Sequence, residues 1–256
     1  MGVETPRKMR GVSTRDVHHK KIMAKKIETQ AQPAFDKTKQ YALEEAIELT
    51  KKLSKTKFDA SVEAHFNLGI DTQKGDQQIR AVVALPHGTG KIIKVAAFVT
   101  ANHEAEAREA GADYVGNDEL IAEIKKTEKT DFQVAIAEPT LMKNLAVIAK
   151  ILGTRGLMPS PKNETVTTNP AKTIKELKLG KVSFKNDDTG NVHVAIGKVS
   201  FDSKKLEENF LALLEAIKKA KPAGAKGTYL KNITINSSMG PGIKIESTKL
   251  QITNKS

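Results

Sequence analysis

Between residues 38 and 55 the apolar positions Leu43, Ala46, Ile47 and Leu53 recur near every 3.6 residues. Glu44, Glu45 and Glu48 fall outside that stripe, which predicts an amphipathic helix. The period then drops to two. Val62, Ala64, Phe66, Leu68 and Ile70 alternate with Ser61, Glu63, His65 and Asn67, so one face of a strand is buried and the other polar. A turn at 71–76 leads to a second strand over 79–85.

From residue 92 the pattern changes again. The run 92–100 is continuously apolar, as in a strand buried on both faces, and 103–110 reads as a short helix closed by Gly111. A short strand over 112–115, a helix over 118–126 capped by Asn117 and a buried strand over 131–137 follow. A helix over 140–152 carries Leu141, Leu145, Ile148 and Leu152 on one stripe, and a last helix, 171–179, stops at Gly180. Strands separated by helices predict parallel pairing with right-handed crossovers.

Beyond Gly180 the period of two returns. Val182 and Phe184 point inward, Asn186 to Gly190 reads as a hairpin turn, and Val192, Val194 and Ile196 form its return strand. An amphipathic helix over 205–220 carries Leu206, Phe210, Leu213, Leu214 and Ile217. Strands over 228–238 and 243–250 complete the set, with Ile233 and Ile235 facing in and Thr234, Asn236 and Ser238 facing out.

The fold class this predicts is α/β with two nested domains. Residues 38–88 plus 181–256 form a discontinuous α/β sandwich with a half-open, mainly antiparallel sheet. Residues 89–180 form an inserted Rossmann-like three-layer α/β domain, and 1–37 a basic flexible arm. Gly88 and Gly180 stand at the two crossings and are the expected hinges.

Charge adds the partner. The 256 residues hold 42 Lys+Arg against 30 Asp+Glu, a formal net charge of +12. That favours an anionic partner, nucleic acid first and anionic membrane second. Aromatic residues make up only 4% with no Trp, so recognition of backbone and shape in a folded RNA fits better than base stacking on aromatic platforms. The chain has no Cys, hence no disulfide, thiolate metal site or cysteine nucleophile. No apolar run approaches the roughly 20 residues of a membrane span. The first 26 residues lack the apolar centre of a secretory signal, and the expected compartment is the cytoplasm.

Two stretches are candidates for the contact: Thr56-Lys57-Phe58-Asp59, and Ser237-Ser238-Met239-Gly240-Pro241-Gly242 at the end of a strand. In the second, glycines permit close backbone approach and a flexible methionine sits at the centre. Read without a partner, it is a turn between two strands. Pro86 to Lys91 fails as a phosphate loop, because Leu85 stands where the first glycine is needed and Ile92 where the hydroxyl is needed. No G-x-G-x-x-G follows a strand and the six His show no metal spacing, so no cofactor is expected.

These residues resemble the bacterial L-one family of large-subunit ribosomal proteins. The matching runs are Lys57-Phe58 through Asp71, Leu85-Pro86-His87-Gly88 with Gly90-Lys91, and Ala110-Gly111-Ala112-Asp113-Tyr114-Val115-Gly116. They continue with Ile151-Leu152-Gly153, Arg155-Gly156-Leu157-Met158-Pro159, Pro161-Lys162, Lys198 with Ser200-Phe201, Lys221-Pro222, Lys226-Gly227 and Ser238-Met239-Gly240-Pro241. The resemblance implies the same nested layout, with a first domain bound to a three-way junction of the large ribosomal RNA. It implies a mobile stalk that helps release deacylated transfer RNA, and repression of the chain's own messenger RNA. It also implies a ribosome component with no membrane role, monomeric when free.

By that resemblance Lys57, Phe58 and Ser61 on one side, and Ser237, Ser238, Met239 and Gly240 on the other, form the RNA surface. Phe58 reads equally as core. Glu63 and His65 either orient neighbours or touch RNA, and Lys198 is a phosphate contact or a solvated lysine. Thr154, Ser160 and Glu164 depart from the family's Pro, Asn and Gly. The competing readings are a basic RNA-binding protein outside the ribosome, an enzyme using the α/β insert, and a reader of duplex DNA. No catalytic motif, helix-turn-helix or zinc finger supports the last two.

Overall fold

The computed structural model describes residues 36, 38–225 and 227–246. The basic arm, apart from Asp36, and the expected strand end at 247–250 lie outside the described residues.

Helix α1 (Leu43–Leu53) leads into strand β1 (Ser61–Leu68), and strand β2 (Arg80–Ala84) follows a 3-10 turn at Gly75–Gln77. Next come β3 (Val95–Phe98), α2 (Ala101–Glu109), β4 (Tyr114–Gly116), α3 (Asp118–Thr127) and β5 (Val134–Ala137). The segment Pro139–Thr154 holds α4 (Met142–Leu145) and α5 (Ala149–Thr154) among 3-10 turns, and α6 is Pro170–Leu179. The chain continues through β6 (Lys181–Lys185), β7 (Asn191–Lys198), α7 (Ser203–Lys219), β8 (Leu230–Ser237) and β9 (Ile243–Ile245).

Among the described residues there are three sheets. One is four-stranded and antiparallel, in the order β7-β1-β8-β9. Its inward side chains, among them Val62, Phe66, Val194, Ile196, Ile233 and Ile235, pack with Ile47 of α1 and Leu206, Phe210 and Ile217 of α7 in one core. Phe66 and Phe210 stack there, with ring centroids 5.7 Å apart.

A second sheet is parallel, in the order β4-β3-β5. Alternation along β3 sends Ala96 and Phe98 to one side, with Ile121, Ile124, Leu145, Ile148 and Leu152. It sends Val95 and Ala97 to the other side, with Ala107, Ile174 and Leu177. Helices on both faces of a parallel sheet make the three layers that the strand–helix alternation predicted. The fold is thus α/β throughout, with a mainly antiparallel sandwich and a Rossmann-like parallel unit.

Several local expectations are corrected. The hairpin expected at 186–190 is confined to its turn, where Asn186 and Val192 form one antiparallel bridge; beyond it β6 pairs with β2 in a two-stranded ribbon, and β7 pairs with β1. The turn between them is closed by the Asp187 carboxylate, which accepts from the backbone N–H of Thr189 and Asn191 at 2.9 and 2.7 Å. That closure reverses the chain but leaves each strand free to find another partner.

The helix expected over 140–152 is broken into short α and 3-10 pieces, although Leu145, Ile148 and Leu152 are buried as the stripe requires. Ile92 is 94% exposed and precedes the strand it was expected to begin. Asn117 occupies the cap position of α3 without a side-chain cap bond.

The connections at 85–90 and 179–181 run side by side. Leu85 N–H donates to Gly180 O at 3.2 Å. Gly88 and Gly180 have φ of 63° and 114°, and a Cβ on Gly180 would lie 2.4 Å from Gly88 Cα. Only glycine satisfies both the left-handed backbone and that approach.

Candidate nucleic-acid interface

Antiparallel pairing brings the start of β1 and the ends of β7 and β8 to one end of the four-stranded sheet. Ser61 stands opposite Lys198, and Val62 opposite Ser237. Ser238 N–H donates to Ser61 O at 2.9 Å, and Ser61 N–H donates to Ser238 Oγ at 3.3 Å. Gly240 N–H closes the following turn on Ser237 O at 2.8 Å. A Cβ at Gly240 would fall 2.4 Å from Ser237 Oγ, so the turn has no room for a larger residue. The two candidate stretches, far apart in sequence, are therefore neighbours.

Met239 sits at the tip of this turn with φ 66°, and is 67% exposed. A non-glycine residue there costs roughly 1 kcal/mol or more of backbone strain, and such strain is characteristic of functional positions. Phe58 is 59% exposed rather than part of the core. Thr56 Oγ1 donates to Phe58 O at 2.9 Å and shapes the turn that presents the ring. Lys57 is exposed beside it.

Asp59 ties this turn to the end of β7: Ser200 N–H and Oγ donate to its carboxylate at 3.1 and 2.9 Å, and Lys198 Nζ donates to Asp59 O at 3.1 Å. Asp59 was expected only as the last member of the stretch 56–59, with no partner assigned, and Ser200 was not among the expected site residues. The signal available was their place inside the runs that carry the family resemblance.

Ser61 is corrected: expected on the polar strand face, it is only 6% exposed. Ser237 is 1% exposed, and its Oγ makes no hydrogen bond within the described residues. Both serines shape the turn from inside, leaving Met239, Phe58 and Lys57 as the outward groups.

The outer face of the sheet runs on from this end in rows set by the register. Ala195, Glu63 and Asn236 form one row, His193, His65, Thr234 and Lys244 the next, and Asn191, Asn67 and Asn232 the third. The face is polar and accessible, built of amides, imidazoles and a hydroxyl with Glu63 as its carboxylate. Such groups donate and accept hydrogen bonds toward ribose hydroxyls and phosphate oxygens.

A separate cleft of about 260 Å³ is lined by Arg80 and Lys185 of the β2–β6 ribbon and by Lys162, with Asp188 at its edge. Lys181, at the start of β6, binds Glu176 Oε2 at 2.7 Å and Glu164 Oε2 at 2.5 Å. Glu164 is held at φ 54°, a left-handed backbone that favours glycine. Among the described residues no group of three or more His, Cys, Asp or Glu is arranged to hold a metal ion.

The family model for the ribosomal protein L1p/L10e family matches residues 50–241. The large ribosomal subunit protein uL1 of Kosmotoga olearia is 51% identical over 221 residues, covering 86% of this chain and 95% of the relative. That of Chloroflexus aggregans is 50% identical over 236 residues, covering 91% of this chain and 97% of the relative. That of Thermosipho africanus is 49% identical over 215 residues, covering 84% and 93%. The chain therefore belongs to the ribosomal protein L1p/L10e family, a structural family rather than an enzymatic one.

Proposed function

We propose that this chain is a cytoplasmic constituent of the large ribosomal subunit that binds a three-way junction of the large-subunit RNA. The observation that supports this most is the meeting of the two candidate stretches at one end of an accessible polar sheet. Lys57, Phe58 and Met239 point outward there; Ser61, Ser237, Ser238 and Gly240 fix the turn that carries Met239, and Thr56 and Asp59 the turn that carries Lys57 and Phe58. Lys198 braces Asp59, and Glu63 and His65 extend the surface along the sheet.

In this reading residues 38–88 and 181–256 are the RNA-binding domain, 89–180 is an inserted domain, and Gly88 and Gly180 are its hinge. The cleft of Arg80, Lys162 and Lys185 is a second anionic contact, fitted to transfer RNA at the exit side of a mobile stalk. Repression of the chain's own messenger RNA follows where that message carries a mimic of the ribosomal junction, because the same surface would bind both.

The test is a titration of the full chain against the junction RNA with bulk duplex competitor across a salt series. Binding that survives the competitor is expected. Met239→Asp sets a carboxylate against the RNA backbone and is expected to weaken binding at least tenfold with an unchanged circular-dichroism spectrum. Equal affinity of the variant would remove Met239 from the surface, and displacement of the junction RNA by the bulk duplex competitor would overturn the whole reading.

A further inference from the structure

We propose that His65 and His193 are positioning residues of the RNA-binding face: they share a single hydrogen between their Nδ1 atoms, and that bond fixes which imidazole atoms the face presents. The inference rests on the RNA-binding reading above and deepens it.

The two rings stand directly opposite on β1 and β7, with their Nδ1 atoms 2.7 Å apart and their planes inclined at 64°. One Nδ1 must donate and the other accept, because a second hydrogen has no room in that gap. The far ends of the two rings decide the direction. His65 Nε2 lies 2.8 Å from Asn236 Oδ1 on β8, so Nε2 carries a hydrogen and donates. A neutral His65 then has a bare Nδ1, and His193 Nδ1–H donates to it.

His193 Nε2 faces Asp187 Oδ2 at 3.5 Å. Burial is the largest single influence on the Asp187 carboxyl and raises it, but the hydrogen bonds from Asn191 and Thr189 together outweigh it and hold this group well below the usual carboxylate range. Asp187 is therefore an anion whenever RNA is bound. The hydrogen-bonded line His193–His65–Asn236 crosses three strands, and Asp187 stands beyond its His193 end. The other charged groups on this face are Glu63, 4.0 Å from His65 Nε2, and Lys244, two positions along the same row.

Two consequences follow. The ring of His65 is locked, so the neighbouring Asn236 and Glu63 meet RNA with fixed donors and acceptors. In addition, at most one of the two rings is an imidazolium while the bond stands. A second proton at that contact must open it, because the gap holds a single hydrogen. A polar pair that only stabilised the sheet would have neither effect on RNA.

The test has two arms on the full chain. Nitrogen-15 spectra of the free protein at pH 7.5 are expected to show His65 protonated at Nε2 and bare at Nδ1, with His193 protonated at Nδ1. In His193→Phe the His65 Nδ1 signal is expected to shift. Hydrogen on His65 Nδ1, or a signal indifferent to the substitution, overturns the shared bond. In the second arm, His193→Phe is expected to weaken junction binding about fivefold at pH 7.5 without changing the slope against salt, since no phosphate contact is lost.

His193→Gln, whose side-chain amide can still donate to His65 Nδ1, is expected to restore most of the affinity lost in His193→Phe. Equal affinities of His193→Phe and His193→Gln would overturn the positioning role. If wild type does not bind the junction at all, the RNA-binding reading fails while the nitrogen spectra still decide the pair.

Discussion

Asn209 has no exposed surface, and its amide serves three backbone groups. Its Nδ2 donates to Gly88 O at 2.9 Å and to Ile196 O at 2.7 Å, and its Oδ1 accepts from His87 N–H at 3.0 Å. One buried side chain thus ties α7 to the end of β7 and to the turn before Gly88. Asn209→Leu keeps the volume and strands all three partners. It is expected to destabilise the chain by about 3 kcal/mol or more, at roughly 1 kcal/mol or more for each group left unpaired. The check is urea unfolding, with a lower midpoint and an unchanged slope.

The sequence carried a signal for this residue that was not read. Asn209 falls three positions after Leu206 and four before Leu213, a polar residue on an apolar stripe. Phe58 was ambiguous for the converse reason: one apolar residue in a short non-regular turn has no periodicity to place it. The left-handed backbone of Met239 leaves no mark in composition, because it is set by the turn closing on Ser237.

Elements were legible where their period was long. The face of α7, the alternation of β1 and the parallel unit all follow from spacing. Partner choice was not legible. The turn at 186–190 announces a reversal, but only the three-dimensional packing sends β6 to β2 and β7 to β1. The broken segment Pro139–Thr154 has the apolar stripe of a helix without being one, since 3-10 pieces interrupt it.

A prediction belongs to this scale. Lys181 binds the turn at Glu164 and the helix α6 at Glu176. The Lys181 hydrogen bond holds the Glu176 carboxyl below its ordinary value of 4.5. Burial pulls Lys181 down, but its bonds to Glu164 and Glu176 prevail and raise it. A depressed carboxylate contributes stability above its unfolded pKa and loses it as pH falls through the folded value. Lys181→Met is therefore expected to lower Tm at pH 7, and the difference from wild type is expected to shrink as pH falls below the ordinary Glu176 value of 4.5. Calorimetry across that range checks it, and an undiminished difference at pH 3 would count against the ion pairs.

At the scale of the whole molecule, the core built from residues 41–85 and 182–245 shares none of its members with the two built from residues 95–177. Because Gly88 lies against Gly180, removing residues 89–180 leaves ends that a peptide bond can nearly join. That deletion is expected to fold cooperatively and to bind the junction RNA within about threefold of the full chain. It is expected to lose any contact made through Lys162. A folded deletion that no longer binds would move the site into the insert.

The paired glycine crossings also limit how the two parts can move. A body hung on one strand can turn in any direction. A body hung on two adjacent strands, tied by a backbone hydrogen bond, is stiff to twisting and soft to bending across the pair. Were the parallel unit to move about these crossings, it would sweep a single arc, its far edge returning along the same path. Directed travel of this kind needs no motor in the protein, only two flat ligaments laid side by side.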